Sequence, residues 1–454
     1  MATNLSTAPA TTQPGLKRAL GLSGLIFYGI IIVQPTAAMS IYGAAAVAGS
    51  GHVVTTVLIG MVAMLFTAFS YGRMANAYPS AGSAYAYVGR EIHPALGYFV
   101  GWSVVFDYVM CPIICVVWCS VAAGNFIPEI PFAVYAVAFA VLFTIMNLRG
   151  IEASSRTNII IAIGLGIVIV LFLGAAVRYL WLQPPDSLAG WTRPFYDPQT
   201  FSFSSVSSGA ALAVLTYIGF DGISTLSEEA HNPRRNILLA TVLVCVIIGM
   251  LASIQVYAAQ LIWPGTNFPD VVTAFCFVAG KAGGHWLFIL LNLALLIANL
   301  TSGAAAHLGV GRLLYSMGRD NAIPSKFFGA VNPRTRIPSN NIILVGILTL
   351  IGAFTVSYPL GCDLVNFGAL IAFMGVNVSA LLHYFVRGER KTFWNLVSPL
   401  CGFSVCAYLW WSLGRPAHIV GSLWLASGVL YGAWRTSFFR KPIYFAATDA
   451  SEAS

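Results

Sequence analysis

Two carboxylates stand inside hydrophobic sequence. Asp221 lies in residues 214–235, VLTYIGFDGISTLSEEAHNPRR, and Asp107 lies in Val105-Phe106-Asp107-Tyr108, ahead of Pro112. A carboxylate at membrane depth costs several kcal/mol unless it is paired or hydrated, so each marks a candidate functional site. Around Asp221 the chain reads Tyr217-Ile218-Gly219-Phe220-Asp221-Gly222. Glycines there let a helix open and expose its backbone groups. A second interruption is expected at Gly29 to Thr36, GIIIVQPT, because Pro35 removes a backbone donor and should break the helix near Val33-Gln34.

These breaks suggest a binding site. Free N–H groups of the half-helices after Pro35 and Gly222 would hold a carboxylate. Carbonyls released near Ile32-Val33 and Tyr217-Ile218 would accept from an ammonium group. Together they suit a zwitterionic amino acid, whereas a diamine would need carboxylates, which Asp221 and Asp107 supply. Phe220 and Tyr217 would close over a ligand or offer a π face to a cation. The candidate binding residues are therefore Val33, Gln34, Thr36, Asp107, Tyr108, Tyr217, Gly219, Phe220 and Asp221. For Asp221 two roles stay open: substrate contact, direct or through water, and capping of the restarted half-helix. Asp107 with Tyr108 either faces the cavity or bonds a neighbouring helix.

Two further groups carry candidate roles. Thr301 and Ser302 sit in Asn299-Leu300-Thr301-Ser302-Gly303. Their hydroxyls, with carbonyls of the first helix, would make a hard-oxygen cation site. Small residues there would equally serve close helix approach. Glu228 and Glu229 read as a cytoplasmic gate, pairing with Arg73, Arg319 or Arg234.

The elements that must position these residues follow from composition. The 454 residues are 58% hydrophobic and 8% charged, with a mean hydropathy of +0.80. No soluble domain could cover such a surface, so an all-α, polytopic membrane protein is expected. About twelve spans fit the length a bilayer requires: 20–47, 53–72, 95–123, 131–146, 158–180, 207–228, 237–263, 285–315, 340–357, 364–385, 393–413 and 417–434. The loop after the second span is expected to hold an interfacial helix or re-entrant segment carrying Tyr78, Tyr85 and Tyr87. Nineteen of the 23 Lys and Arg residues fall on the side that holds both termini. That bias places both termini in the cytoplasm. The net charge of +8 is then a matter of topology, since no basic stripe with interleaved aromatics points to nucleic acid. The polar start, MATNLSTAPATTQPG, reads as a cytoplasmic tail and not a signal peptide.

Interrupted spans 1 and 6 stand five spans apart, the spacing of an inverted repeat with a site between the breaks. The expected organisation is a tail (1–19), a first repeat (20–181), a second repeat (205–385), two accessory helices (393–434) and a second tail (435–454). Enzyme signatures are missing. There is no phosphate-binding G-x-x-x-x-G-K-[ST], no H-E-x-x-H and no ligand-spaced His cluster, so no cofactor or metal is expected. The eight cysteines, without a CxxC pair, read as small apolar fillers. Transport energy must then come from a gradient or from exchange.

The residues resemble the amino acid–polyamine–organocation superfamily of secondary transporters. The resemblance is carried by Pro79-Ser80-Ala81-Gly82-Ser83-Ala84-Tyr85, by Gly97-Tyr98-Phe99-Val100-Gly101-Trp102 and by Asn147-Leu148-Arg149-Gly150. It continues in Tyr217 to Asp221, Ser227-Glu228-Glu229, Asn232-Pro233, Arg312 to Asp320 with Pro324, and Asn366-Phe367-Gly368-Ala369-Leu370. Within the superfamily the pattern looks closest to bacterial putrescine importers and related amino acid permeases. The resemblance implies a LeuT-type 5+5 fold with discontinuous helices 1 and 6. It also implies alternating access and substrate held between helices 1, 3, 6, 8 and 10. In polyamine-handling relatives an acid at the position of Asp221 is implicated in binding the amine. Two departures stand out. Val33-Gln34-Pro35 replaces the Gly-Ser/Thr-Gly of many members, which favours an amine-only substrate. The fifth span has no mid-depth lysine, which leaves the coupling ion, H+ or Na+, open.

The expectation is an ion-driven importer of amino acids or polyamines such as putrescine in the inner membrane. Its partners would be a small-molecule substrate and lipid, with no nucleic acid. The alternative is a metabolite antiporter. A sensor would call for longer soluble appendages, and a channel would lack occluding broken helices.

Overall fold

A computed structural model describes residues 20–78, 83–150, 155–227, 230–319, 323–332, 337–388 and 391–436. The described residues form helices and no strand, apart from one isolated bridge between Leu20 and Ala230. The order is α1 (Leu22–Val33), α2 (Ala37–Ala48), α3 (Val53–Ala77), α4 (Ser83–Glu91), α5 (Pro94–Gly124), α6 (Phe132–Leu148), α7 (Ser155–Leu182), α8 (Leu188–Thr192) and α9 (Phe203–Ala213). Then come α10 (Pro233–Ile262), α11 (Ala274–Gly283), α12 (His285–Arg319), α13 (Ser325–Phe328), α14 (Ser339–Thr355), α15 (Tyr358–Leu381), α16 (Phe393–Trp411) and α17 (Arg415–Arg435). Without water to satisfy them, backbone groups in hydrocarbon must pair internally, and helices do this within one segment.

Eight of these segments are long and apolar enough to cross a membrane, or nine with the bent pair α1 and α2 counted as one span. Twelve were expected. Three of the expected spans form helices that do not reach that mark. α6 and α14 have 17 residues each, and α17 has 21 residues but is less apolar. Seventeen residues rise about 25 Å, the short end of what a bilayer needs. α11 was not foreseen. Its ten residues pack, partly buried, against α7 and α12. α4 meets the expectation of a short helix after the second span, with Tyr87 buried against the bundle.

The bundle has a centre and a rim. In α5 and α15, 72% and 78% of the apolar stretch is buried, against 28% in α7, whose Ile163, Ile167, Val170 and Val177 face outward. Polar side chains pin the central helices where hydrophobicity cannot discriminate between lipid and protein. Asn377 of α15 donates to Thr67 of α3 at 3.1 Å and accepts from Ser70 at 2.7 Å. Asn366 donates to the Ala211 carbonyl of α9 at 2.9 Å.

The loop between α8 and α9 is tied down by Asp197. Its backbone N–H donates to His52 Nε2 at 3.1 Å, and its carboxylate meets Arg193 at 2.8 Å and the Gln199 N–H at 3.0 Å. The Gln199 amide, followed by the Arg193 guanidinium, holds this carboxyl below its usual range of 3.8. A depressed folded-state value stabilises the loop above the unfolded value and is lost as pH falls through the folded one. Acidification below about pH 4 is therefore expected to lower the amide-exchange protection factors across 193–201. Asp197→Asn should show that lowered protection already at pH 7. Equal protection in the two proteins at pH 7 would remove the tether.

Candidate functional site

Two chain breaks meet at the middle of the bundle. At the first, α1 ends at Val33, Gln34 takes a left-handed φ of 65°, and α2 restarts after Pro35 and Thr36 at an angle of 46°. Side chains hold the opened backbone: Gln34 Nε2 donates to the Ala298 carbonyl of α12, and Gln255 Nε2 to the Pro35 carbonyl, each at 3.0 Å. At the second, α9 gives way at Val214 to a 3-10 turn, Gly219 takes φ +116°, and a tighter 3-10 helix runs Phe220–Leu226. A Cβ on Gly219 would lie 2.9 Å from Ile32 Cγ2 and 3.5 Å from Val33 Cα, so the two breaks touch.

A cavity of about 410 Å³ opens beside them. α1 contributes Ile31 and Ile32, and the first break contributes Gln34 and Pro35. α5 adds Asp107, Tyr108 and Cys111. Ile218, Gly219 and Asp221 come from the second break, Thr301, Ser302, Ala305 and Ala306 from α12, and Asn158 with three apolar residues from α7. A smaller chamber of about 60 Å³ lies behind, between Tyr71, Ser83, Tyr85, Thr225 and Phe373. Asp107, Tyr108, Ile218 and Asp221 line both spaces and form the partition between them. Among the described residues, neither lining contains Lys, Arg or His.

The carboxylates are held differently. Asp107 is buried at α5 against Gly368 of α15, where the hydroxyl of Ser103 donates to the Gly368 carbonyl at 2.9 Å. Asp221 is half-buried and within reach of the backbone amides of Gly219, Asp221 and Gly222. It thus faces the cavity while sitting at the start of the restarted helix, where positive potential favours an anion. The two are near enough to act on each other electrostatically.

Five of the nine candidate binding residues line the cavity: Gln34, Asp107, Tyr108, Gly219 and Asp221. The other four do not. Val33 and Thr36 are buried behind the first break. Tyr217 is buried with its hydroxyl donating to the Val57 carbonyl at 2.8 Å. Phe220 packs among Tyr71 and Phe373, at ring separations of 5.6 and 5.3 Å. Neither aromatic lies over the cavity as a ligand cover, because Tyr217 and Phe220, three residues apart, share one side of the tight turn and Ile218 and Asp221 share the other. Residues that sequence reading passed over also line it. Cys111 falls one turn after Asp107 and Tyr108, and Ala305 and Ala306 one turn after Thr301 and Ser302, so helical spacing would have found them. The α7 face carries no such signal.

Thr301 and Ser302 are both on the cavity wall. The Thr301 hydroxyl donates to the Ile297 and Ala298 carbonyls, each at 3.0 Å. The Ala298 carbonyl therefore serves both Thr301 and Gln34.

Of the expected gate, Glu228 and Glu229 lie outside the described residues. Arg319 closes α12 and is exposed. Arg73 stacks 3.6 Å over the Tyr384 ring and donates to Asn395 at 2.6 Å. A neighbouring carboxylate was not anticipated. Glu91, at the end of α4, is 1% exposed and accepts from Tyr78 at 2.7 Å and Arg387 at 2.7 Å, with His383 at 2.9 Å. Burial, reinforced by Glu91, pushes the Tyr78 hydroxyl up to about 12. Glu91→Ala removes the shared acceptor of three side chains and is expected to destabilise the protein by about 1–3 kcal/mol. The detergent-solubilised variant should melt several degrees lower, and an unshifted melting curve would contradict this role.

A family profile described as amino acid permease matches residues 19–434. The chain is 35% identical to the low-affinity putrescine importer PlaP of Escherichia coli, over 96% of this chain and 98% of that protein. It is 26% identical to the branched-chain amino acid permease BcaP of Bacillus subtilis, over 93% and 94% of the two chains. At the same identity it matches the methylthioribose transporter of that organism, over 91% and 92%. These matches span nearly the whole of both proteins in each pair, agree with the apolar helices, and describe transporters and not enzymes. The chain is an integral membrane protein that belongs to the amino acid permease family of the amino acid–polyamine–organocation superfamily.

Proposed function

We propose that this protein imports a small metabolite bearing a primary amine across the inner membrane. An amino acid or a polyamine such as putrescine fits, with alternating access driven by an H+ or Na+ gradient. One observation carries the choice of substrate class: the cavity wall holds two carboxylates and, among the described residues, no basic side chain. In a largely apolar enclosure such a pair attracts an ammonium group strongly. The relatives named for putrescine and amino acid transport support the same class. The two touching breaks would belong to two inverted repeats, 20–181 and 205–385, with the remaining helices accessory. Both termini would lie in the cytoplasm, on the strength of the Lys and Arg distribution. Thr301 and Ser302 would meet the coupling ion if it is Na+. The groups around Arg73 and Glu91 would belong to the inner gate.

Proteoliposomes loaded with purified protein test this. Uptake of labelled putrescine and of labelled amino acids is measured under an imposed pH or Na+ gradient. Gradient-dependent accumulation of an amine supports the reading. Accumulation only when unlabelled metabolite is trapped inside would replace import by exchange. No uptake of any amine would refute the substrate class.

A further inference from the structure

We propose that a groove on the lipid-facing wall binds an anionic phospholipid, with an acyl chain between α3, α10 and α16 and the headgroup at Arg234 and Arg235. The groove measures about 490 Å³ and no charged side chain lines it. Its walls are Leu65, Phe66 and Phe69 of α3, Val242 and Val246 of α10, and Trp394 with one hydroxyl residue, Ser398, of α16. A dry apolar groove gains nothing from water, whereas an acyl chain restores dispersion contacts to its walls.

Helix direction gives the groove one basic end. One turn beyond Phe69, α3 reaches Arg73, whose guanidinium lies 5.6 Å from the Phe69 ring centre. Two turns before Val242, α10 begins with Arg234 and Arg235. α16 starts at Phe393, so Trp394 is in its first turn. Arg73 donates to Asn395, beside Trp394, and stacks on Tyr384, and Arg234 lies within electrostatic range of that tyrosine. Arg234 and Arg235 are exposed, and no ion pair among the described residues engages either one. Phe393 and Trp394 are 68% and 63% exposed beside them, as aromatic side chains at a membrane interface are. Cations and interfacial aromatics at one end of an apolar slot complement a negatively charged headgroup over its chain.

This inference rests on the membrane-spanning reading and the cytoplasmic placement of the Arg-rich ends, and is independent of which metabolite is carried. Native mass spectrometry of the full chain, released from detergent after incubation with phosphatidylglycerol or phosphatidylcholine, tests it. Wild type is expected to retain phosphatidylglycerol about tenfold more than phosphatidylcholine. The exposed double variant Arg234→Gln/Arg235→Gln should lose that preference. Val246→Trp, which fills the groove, should lose bound lipid with the basic end intact. Equal retention of both lipids by wild type would overturn the proposal, as would retention of phosphatidylglycerol by both variants. A dimer peak removed by Val246→Trp, with lipid unaffected, would assign the groove to a second copy of the chain. Because the readout is binding, failure here leaves the transport assay untouched.

Discussion

Asp221→Asn is expected to lower uptake of a primary amine at least about a hundredfold in proteoliposomes, with little change in melting temperature. Removing one partner of a desolvated charge pair costs about 3–5 kcal/mol, which is about two to three and a half orders of magnitude in affinity. Among the described residues of the lining, the one other carboxylate that could take over the lost negative charge is Asp107. Asparagine keeps the size of the side chain and an oxygen acceptor. It can therefore still face the amides of Gly219, Asp221 and Gly222, and the restarted helix should persist. The substitution thus separates the two roles that Asp221 could have. Unchanged affinity and rate in Asp221→Asn, with a destabilised Asp221→Ala, would make the residue a cap and not a ligand. Asp107→Asn should reduce uptake in the same direction, because Asp107 shares the partition between the two chambers.

Gly219→Ala should abolish uptake and lower the melting temperature by several degrees, while Gly222→Ala should be tolerated. At Gly219 the backbone is at φ +116°, outside the regions open to residues with a Cβ, and the strain amounts to about 1–3 kcal/mol. An added Cβ would also meet Ile32 Cγ2 at 2.9 Å, pressing on the first break, for about 1–3 kcal/mol more. Gly222 carries no positive φ, and its nearest neighbour would be Ile32 Cδ1 at 3.5 Å, an ordinary contact. Wild-type uptake and stability in Gly219→Ala would show that the breaks need not touch. Equal damage from both substitutions would mean that glycine there serves helix opening in general.

The sequence alone determined the membrane class, the family and the two places where the chain breaks. These depend on local quantities: the length of apolar runs, a proline that cannot donate, and glycines beside a carboxylate. Five of the nine candidate binding residues fall on the cavity wall for the same reason, because they lie in or beside unusual local sequence. Which side chains of a break face the cavity was decided by the tertiary structure. Tyr217 and Phe220 flank Gly219 as plausibly as Asp221 does. The left-handed turn at Gly219 sends one to the Val57 carbonyl and the other to Tyr71 and Phe373. The buried acceptor Glu91 was equally invisible, since its partners Arg387 and His383 are nearly three hundred residues away in sequence. Asp221 began as an isolated carboxylate in an apolar run. Packing made it half of a pair, since only the approach of α5 brings Asp107 to the same cavity wall. Gly219 and Gly222 look equivalent in sequence and both approach Ile32 of the other break, but only Gly219 takes a positive φ and would press a Cβ to 2.9 Å, a contact between segments about 185 residues apart.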